Sequence, residues 1–376
     1  MLPGLKKDSA TRGHPSMFGT FTLVPSSLRY SYFVRPSVGR IDSVELRANN
    51  AVTGEEVTVE VVGQLSDPEP NISFHPWDLP PPPPESTVEF GPGEVTIDRN
   101  VLFGSETSIT IQPGTTMRLA PDISIEIRGK ITAKGTADKP IRFLPTTKGK
   151  PWGVFALHGK GTKGSSFSHC EWRDGSTAKL RMVLRTGMVS IIDTEDITLR
   201  NCYIGKNHLG DDALHFGYVT GGEVRECEFE GARSDAFDLD ITEDVRIIGC
   251  VFHHSGNDAL DLMTSKVEVT DCHFHDTGDK GISVGEATTL HLLNSKFERC
   301  VIGLEIKDKS IAHVDSNTRL IDCQTGVNLN RKNTRYTNGG TIIADDLWVI
   351  NSPQPLIADK RSTIHVGKLH TTAAPN

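Results

Sequence analysis

The chain has 376 residues, 48 acidic against 40 basic side chains, and a net charge of -8. That balance argues against a nucleic-acid partner, because phosphate contacts need a basic surface. No run of 18 apolar residues occurs, so no membrane-spanning helix is expected. Glycine and proline are abundant (35 and 21) and only 6% of residues are aromatic, which favours strands and turns over helix bundles. The opening residues, MLPGLKKDSATRGHPS, lack the apolar stretch of a secretory leader.

In chain order, residues 30–62 read as several short strands with turns at Asn-Asn and Thr-Gly. Residues 1–79 are expected to form a small β domain that caps a solenoid end. Five consecutive prolines, 80–84, fall in a stiff linker over residues 80–86. From 87 to 376 the pattern changes. Residues 108–143 alternate apolar and polar positions between PG and GT turns, and then a repeat becomes visible.

Cys202, Cys227, Cys250 and Cys272 are separated by 25, 23 and 22 residues. Aligned on them, each unit reads apolar-x-x-Cys-x-Phe, a polar turn, then small-apolar-polar-apolar. Units begin near Leu199, Val224, Ile247, Val269 and Leu292. Alternation with period two and no helical stretch between units means that parallel strands stack coil on coil, about 4.8 Å apart. One inward column holds the cysteines and Ser295, with Ile204, Phe229, Phe252, Phe274 and Phe297 two residues on. A second holds Leu214, Phe237, Leu260, Ile282, Leu304 and Val327. The fold class is therefore all-β, a single-stranded parallel β-helix with three short strands per coil. Seven cysteines cannot form a complete disulfide framework, and the ladder is read as buried thiols packing as small apolar groups. His253, His254, His273 and His275 are read as surface or turn residues, not a zinc site.

These repeats resemble right-handed parallel β-helix proteins of the pectate-lyase-like superfamily, over residues 88–364. The resemblance implies the right hand, an extracellular or cell-surface setting, and a polysaccharide as partner; a monomer is expected. Lyases of that superfamily use calcium to neutralise a uronate and a Lys or Arg as base. The outward residues of the second wall supply those types. Asp238, Asp261, Glu286 and Glu305 are the expected calcium ligands. Lys280 and Lys307, with Asp258, are the expected catalytic groups. His215, Asp308, Arg331 and Lys332 are the expected substrate contacts.

Two other readings remain open. An inverting hydrolase resembling polygalacturonases is echoed by GDDALHF (210–216) and EIK (305–307), but no Gly-His-Gly occurs. Its carboxylates would stand about 6.5–9.5 Å apart, one or two rungs. A non-catalytic binding or structural solenoid is the third, although outward aromatics such as Tyr218 and Trp348 are few. Against all three stands the bland interpretation: Asp212, Asp235 and Asp258 as a hydrogen-bonded turn ladder, and Asp238, Asp261 and Glu305 as a solvated face.

Overall fold

A computed structural model describes residues 85–180 and 183–372, together with the backbone of four strands before them. Those four pair as two antiparallel ribbons, Phe18–Val24 with Ser27–Phe33 and Ala48–Asn49 with Glu56–Val57. The proline run and the expected cap lie outside the described residues.

From Ser86 onwards the chain is a parallel β-solenoid. Each coil contributes three strands, which form three walls. Walls A and B run around one corner as a 22-stranded sheet, and wall C is a separate 11-stranded sheet. One coil illustrates the plan: Glu223–Arg225 lies in wall A, Glu228–Glu230 in wall B and Asp235–Asp240 in wall C. Each strand pairs in register with its equivalents one coil away, so Phe229 meets Phe252, Phe252 meets Phe274 and Phe237 meets Leu260.

Local chemistry explains the corners. Between walls A and B the chain turns on one left-handed residue: Asn201 (φ 51), Glu226 (φ 53), Gly249 (φ 63), Asp271 (φ 56), Asn294 (φ 44). Short polar side chains and glycine tolerate this conformation best, and Glu226 is the exception. The next residue is always the buried cysteine or serine of the ladder. Its backbone N–H donates to the sulfur or oxygen one coil on, Cys202 to Cys227 at 3.4 Å and Cys272 to Ser295 Oγ at 3.1 Å. All seven cysteines are free and buried, in agreement with the reading of the four in the column as buried thiols.

Inside, like residues stack on like. The rings of Phe229, Phe252, Phe274 and Phe297 lie nearly parallel with centroids 4.5, 4.8 and 4.8 Å apart. Ile, Leu and Val fill the remaining volume. Beyond a short 3-10 turn, Lys160–Thr162, the described residues contain no helix, and so none long and apolar enough to cross a membrane.

Phe252 is fully buried in the middle of the stack. Phe252→Ala should therefore lose about 3–5 kcal/mol of stability through lost burial and a cavity that its neighbours cannot close. Urea unfolding of the variant beside the parent checks this; a loss below about 1 kcal/mol would contradict the packing described.

Candidate functional site

The outward side of wall C carries three columns of side chains. The central column runs His215, Asp238, Asp261, Ser283, Glu305 and Asn328. Two residues on, the second column runs Gly217, Asp240, Met263 and Gly285, with Lys307 and Asn330 paired beyond them. At the strand starts stand Asp212, Asp235, Asp258 and Lys280. In-register pairing is what aligns these chemically active groups, because each occupies the equivalent position of successive repeats.

The strand-start column is a hydrogen-bonded ladder. Asp235 Oδ1 accepts from the backbone N–H of Asp258 at 2.8 Å and from Asn257 Nδ2 at 2.7 Å. Asp258 Oδ1 accepts from the backbone N–H of Lys280 and from its Nζ, both at 3.2 Å. Lys280 also bonds Asp279 and stands 4.0 Å from Glu305 Oε2. The expectation of catalysis by Lys280 and Asp258 meets this arrangement: Lys280 is only 7% exposed and tied to carboxylates. Burial pulls its pKa down, but Asp258, Asp279 and Glu305 outweigh that and hold the ammonium charged. A permanently charged lysine is a poor base.

Lys307 is placed differently. Its side chain folds back over Gly285, where a Cβ would come within 2.7 Å of Lys307 Cε. Its Nζ donates to Ser283 Oγ at 2.7 Å, one rung from Asp261. Glu305 is 6% exposed, so it is no solvated face. Its Oε1 accepts from Asn328 and Asn330 at 3.0 and 2.8 Å, and its Oε2 lies 3.8 Å from Lys307 Nζ.

The acidic half of the wall, His215 to Asp261, has too few cations. Burial raises Asp238, reinforced by Asp212, Asp240, Asp261 and Asp235, and its carboxyl is pushed up to about 10. Burial also raises Asp212 to about 7, against the pull of His215. Asp258 rises to about 7 and Asp235 to about 6, again mainly through burial. Carboxyls in this state hold a proton at neutral pH or face a cation.

The expected calcium ligands do not converge. Asp238 and Asp261 are register partners, but Ser283 separates Asp261 from Glu305. Asp238 and Glu305 are three rungs apart, roughly 14 Å. Glu286 lies in the turn beyond the wall, with Asn333 Nδ2 3.4 Å away. This set does not fit one calcium ion, whose oxygen ligands lie within about 2.6 Å of it. Asp308, expected to touch substrate, is 1% exposed and accepts from the Asn333 backbone N–H at 2.7 Å. Arg331 is half-buried, with its backbone N–H on Asp359 and its Nη1 on the Tyr336 carbonyl, and Lys332 is exposed. Two groups do converge, each with its donor atoms within 4.8 Å of one another: His215, Asp238 and Asp240, and Asp211, Asp212 and Asp235. Asp240 is absent from the residues the sequence nominated. Its signal was there: it sits two positions from Asp238, on the same face of one strand.

On wall B, His253 and His275 stack with centroids 5.0 Å apart, and His273 bonds Glu298 at 2.7 Å. They form no three-ligand cluster among the described residues. Trp348 is covered by His370, with ring centroids 3.8 Å apart, so it offers no open sugar platform.

Residues 212–344 match the family described as right handed beta helix region, in agreement with the hand that the resemblance implies. No curated protein matches the sequence. Among solved structures the chain is similar to the Dettilon tailspike protein (8% identity, TM-score 0.46, 74% of this chain and 61% of that one). It thus spans about three-fifths of the tailspike chain. It is similar to pectate lyase Pel9A (13%, TM-score 0.35, 67% and 70%). It is also similar to PfbA, a surface adhesin of Streptococcus pneumoniae (8%, TM-score 0.42, 75% and 82%). Likenesses this distant describe the fold alone.

Two measurements test the electrostatics. Lys280→Met strands Asp258 in a buried position and should cost about 3–5 kcal/mol at pH 8. The loss should shrink at pH 5, where Asp258, titrating near 7, takes up a proton. Asp238 binds its proton more tightly folded than unfolded, so its stabilising contribution is complete below about pH 4 and fades as pH rises towards 10. In chelator, Asp238→Asn should melt above the parent at pH 8, with the gap closing by about pH 4. A pH-independent gap would refute the raised pKa.

Proposed function

We propose that this protein acts on a polysaccharide lying along wall C, and that it cleaves an acidic glycan by β-elimination. The observation that carries the reading is Lys307, drawn back over Gly285 so that its amine reaches the Ser283 rung. That puts a nitrogen base one rung from Asp261, at the border between the acidic and the lysine-rich halves of the wall. The amine takes the proton α to a uronate carboxylate. The C–H electrons form the new carbon–carbon double bond, the glycosidic C–O bond breaks with its electron pair going to oxygen, and that oxygen takes up a proton from water. Lys280, fixed as a cation by its carboxylates, positions Asp258 and Glu305 and takes no part in proton transfer. A linear row of polar groups repeating every rung suits a linear repeating ligand. A divalent cation held in the acidic half would supply neutralisation of the uronate charge.

A second reading is favoured by one observation, the raised pKa of Asp238. With a proton there instead of a cation, Asp238 is a general acid for hydrolysis, while Asp261, one rung of about 4.8 Å away, stands closer than the roughly 6.5–9.5 Å of an inverting pair. The two chemistries differ in what Asp238 holds.

The test is a panel of uronate polysaccharides, followed by ultraviolet absorbance of the unsaturated product and by reducing ends. The lyase reading expects both signals, and Lys307→Ala should lower the rate about a hundredfold or more. New reducing ends without the absorbance would replace it by hydrolysis. Retained glycan binding without either signal would replace both by a binding solenoid.

A further inference from the structure

We propose that His215, Asp238 and Asp240 form a site for a transition-type divalent cation, of the zinc or manganese class, in preference to calcium. The site stands on these side chains alone; its use in glycan cleavage rests on the reading above.

His215 and Asp238 are register partners, and Asp240 stands on the same strand face as Asp238. His215 Nε2 is 3.4 Å from Asp240 Oδ2 and 4.0 Å from Asp238 Oδ2. Metal–ligand bonds of about 2.0–2.2 Å put neighbouring donors roughly 3–3.5 Å apart, so small side-chain rotations close the set. Nε2 is buried and makes no hydrogen bond, although both carboxylates stand within 4.0 Å of it. Its other nitrogen, Nδ1, is 3.4 Å from Thr186 Oγ1, which orients the ring as an outer partner does in metal sites.

Asp212, which converges with Asp211 and Asp235, adds buried negative charge near the site. It is 2% exposed, its Oδ2 has no partner, and it interacts electrostatically with both His215 and Asp238. A buried carboxylate oxygen without a hydrogen bond is costly unless positive charge stands near it. Gly217 keeps the space over the ring free; a side chain there would begin 3.5 Å from His215 Nε2 and Cε1.

The donor set selects the ion. Calcium takes six to eight oxygen ligands and gains little from imidazole. One imidazole with two carboxylates suits zinc, manganese or iron(II) and leaves positions open to the groove.

The full chain, stripped with chelator, is titrated calorimetrically with Zn²⁺, Mn²⁺ and Ca²⁺ in separate runs, and with Co²⁺ by visible absorption. Expected are one bound Zn²⁺ or Mn²⁺ per chain, calcium at least about tenfold weaker, and Co²⁺ ligand-field bands. His215→Gln should weaken Zn²⁺ by about tenfold or more and alter the Co²⁺ spectrum, whereas Glu286→Gln should change neither. The Co²⁺ spectrum of the parent needs no variant to fold. Calcium binding as tight as zinc, unchanged affinity in His215→Gln, or no binding of any of the four ions overturns the site. Metal binding without unsaturated product would remove the lyase reading and leave the site standing; the reverse result would do the opposite.

Discussion

Everything in this molecule follows from stacking one coil on the next in register, about 4.8 Å apart. In the interior this constraint is favourable, because identical apolar side chains fit above one another. The nearly parallel Phe229, Phe252, Phe274 and Phe297 rings are its direct expression. On the outside the same constraint brings like charges within a rung of each other, where they repel. The outer face of wall C is the place where the repeat's advantage for packing becomes a problem for electrostatics.

The wall answers that problem in two ways. In its C-terminal half, compensation goes further: Lys280 serves Asp258, and two asparagine amides serve Glu305 Oε1, while Glu305 Oε2 makes no hydrogen bond and has Lys307 and Lys280 within 4.0 Å. Lys307 is held by Ser283. In the half from His215 to Asp261 compensation is partial, and Asp212 and Asp238 carry the strain as carboxyls far above their ordinary pKa. Structural ladders such as Asp235 on Asp258 need no further partner. Positions that stay uncompensated after such ladders are counted are where a ligand has most to offer.

The fold was legible because its signal is periodic. Cysteines 22 to 25 residues apart, each two before an apolar residue, define the register of the inner columns, and the left-handed residue before each cysteine supplies the corner. The outer columns were legible too, but only as lists. A column says that Asp238 and Glu305 share a face, and its order, with Asp261 and Ser283 between them, puts them three rungs apart. Grouping Asp238, Asp261, Glu286 and Glu305 around one ion overlooked that distance. Side-chain direction was equally hidden. Lys307 folds towards the preceding coil because Gly285 leaves room there, and Asp308 turns inward to Asn333. Both depend on neighbours in other coils. The convergence of His215, Asp238 and Asp240 could have been found by combining register with same-face spacing on one strand.

The two chemical readings of the wall therefore meet at one carboxyl. Asp238 lies near Asp212, Asp240 and Asp261, and its partial burial weakens the screening of their repulsion by water. A proton resolves the conflict by making Asp238 a neutral acid able to donate to a leaving oxygen. A cation resolves it by drawing His215, Asp238 and Asp240 together, which leaves Asp238 ionised and unable to donate. The states exclude each other, so occupancy of the metal site and hydrolysis by Asp238 cannot coexist on one molecule. Lys307 lies outside this choice, since its partners are Ser283 and Glu305. Elimination with Lys307 as base is thus compatible with a bound cation, whereas acid-catalysed hydrolysis through Asp238 is not. The geometry of a single repeat position, multiplied by stacking, makes metal binding and reaction type one coupled question.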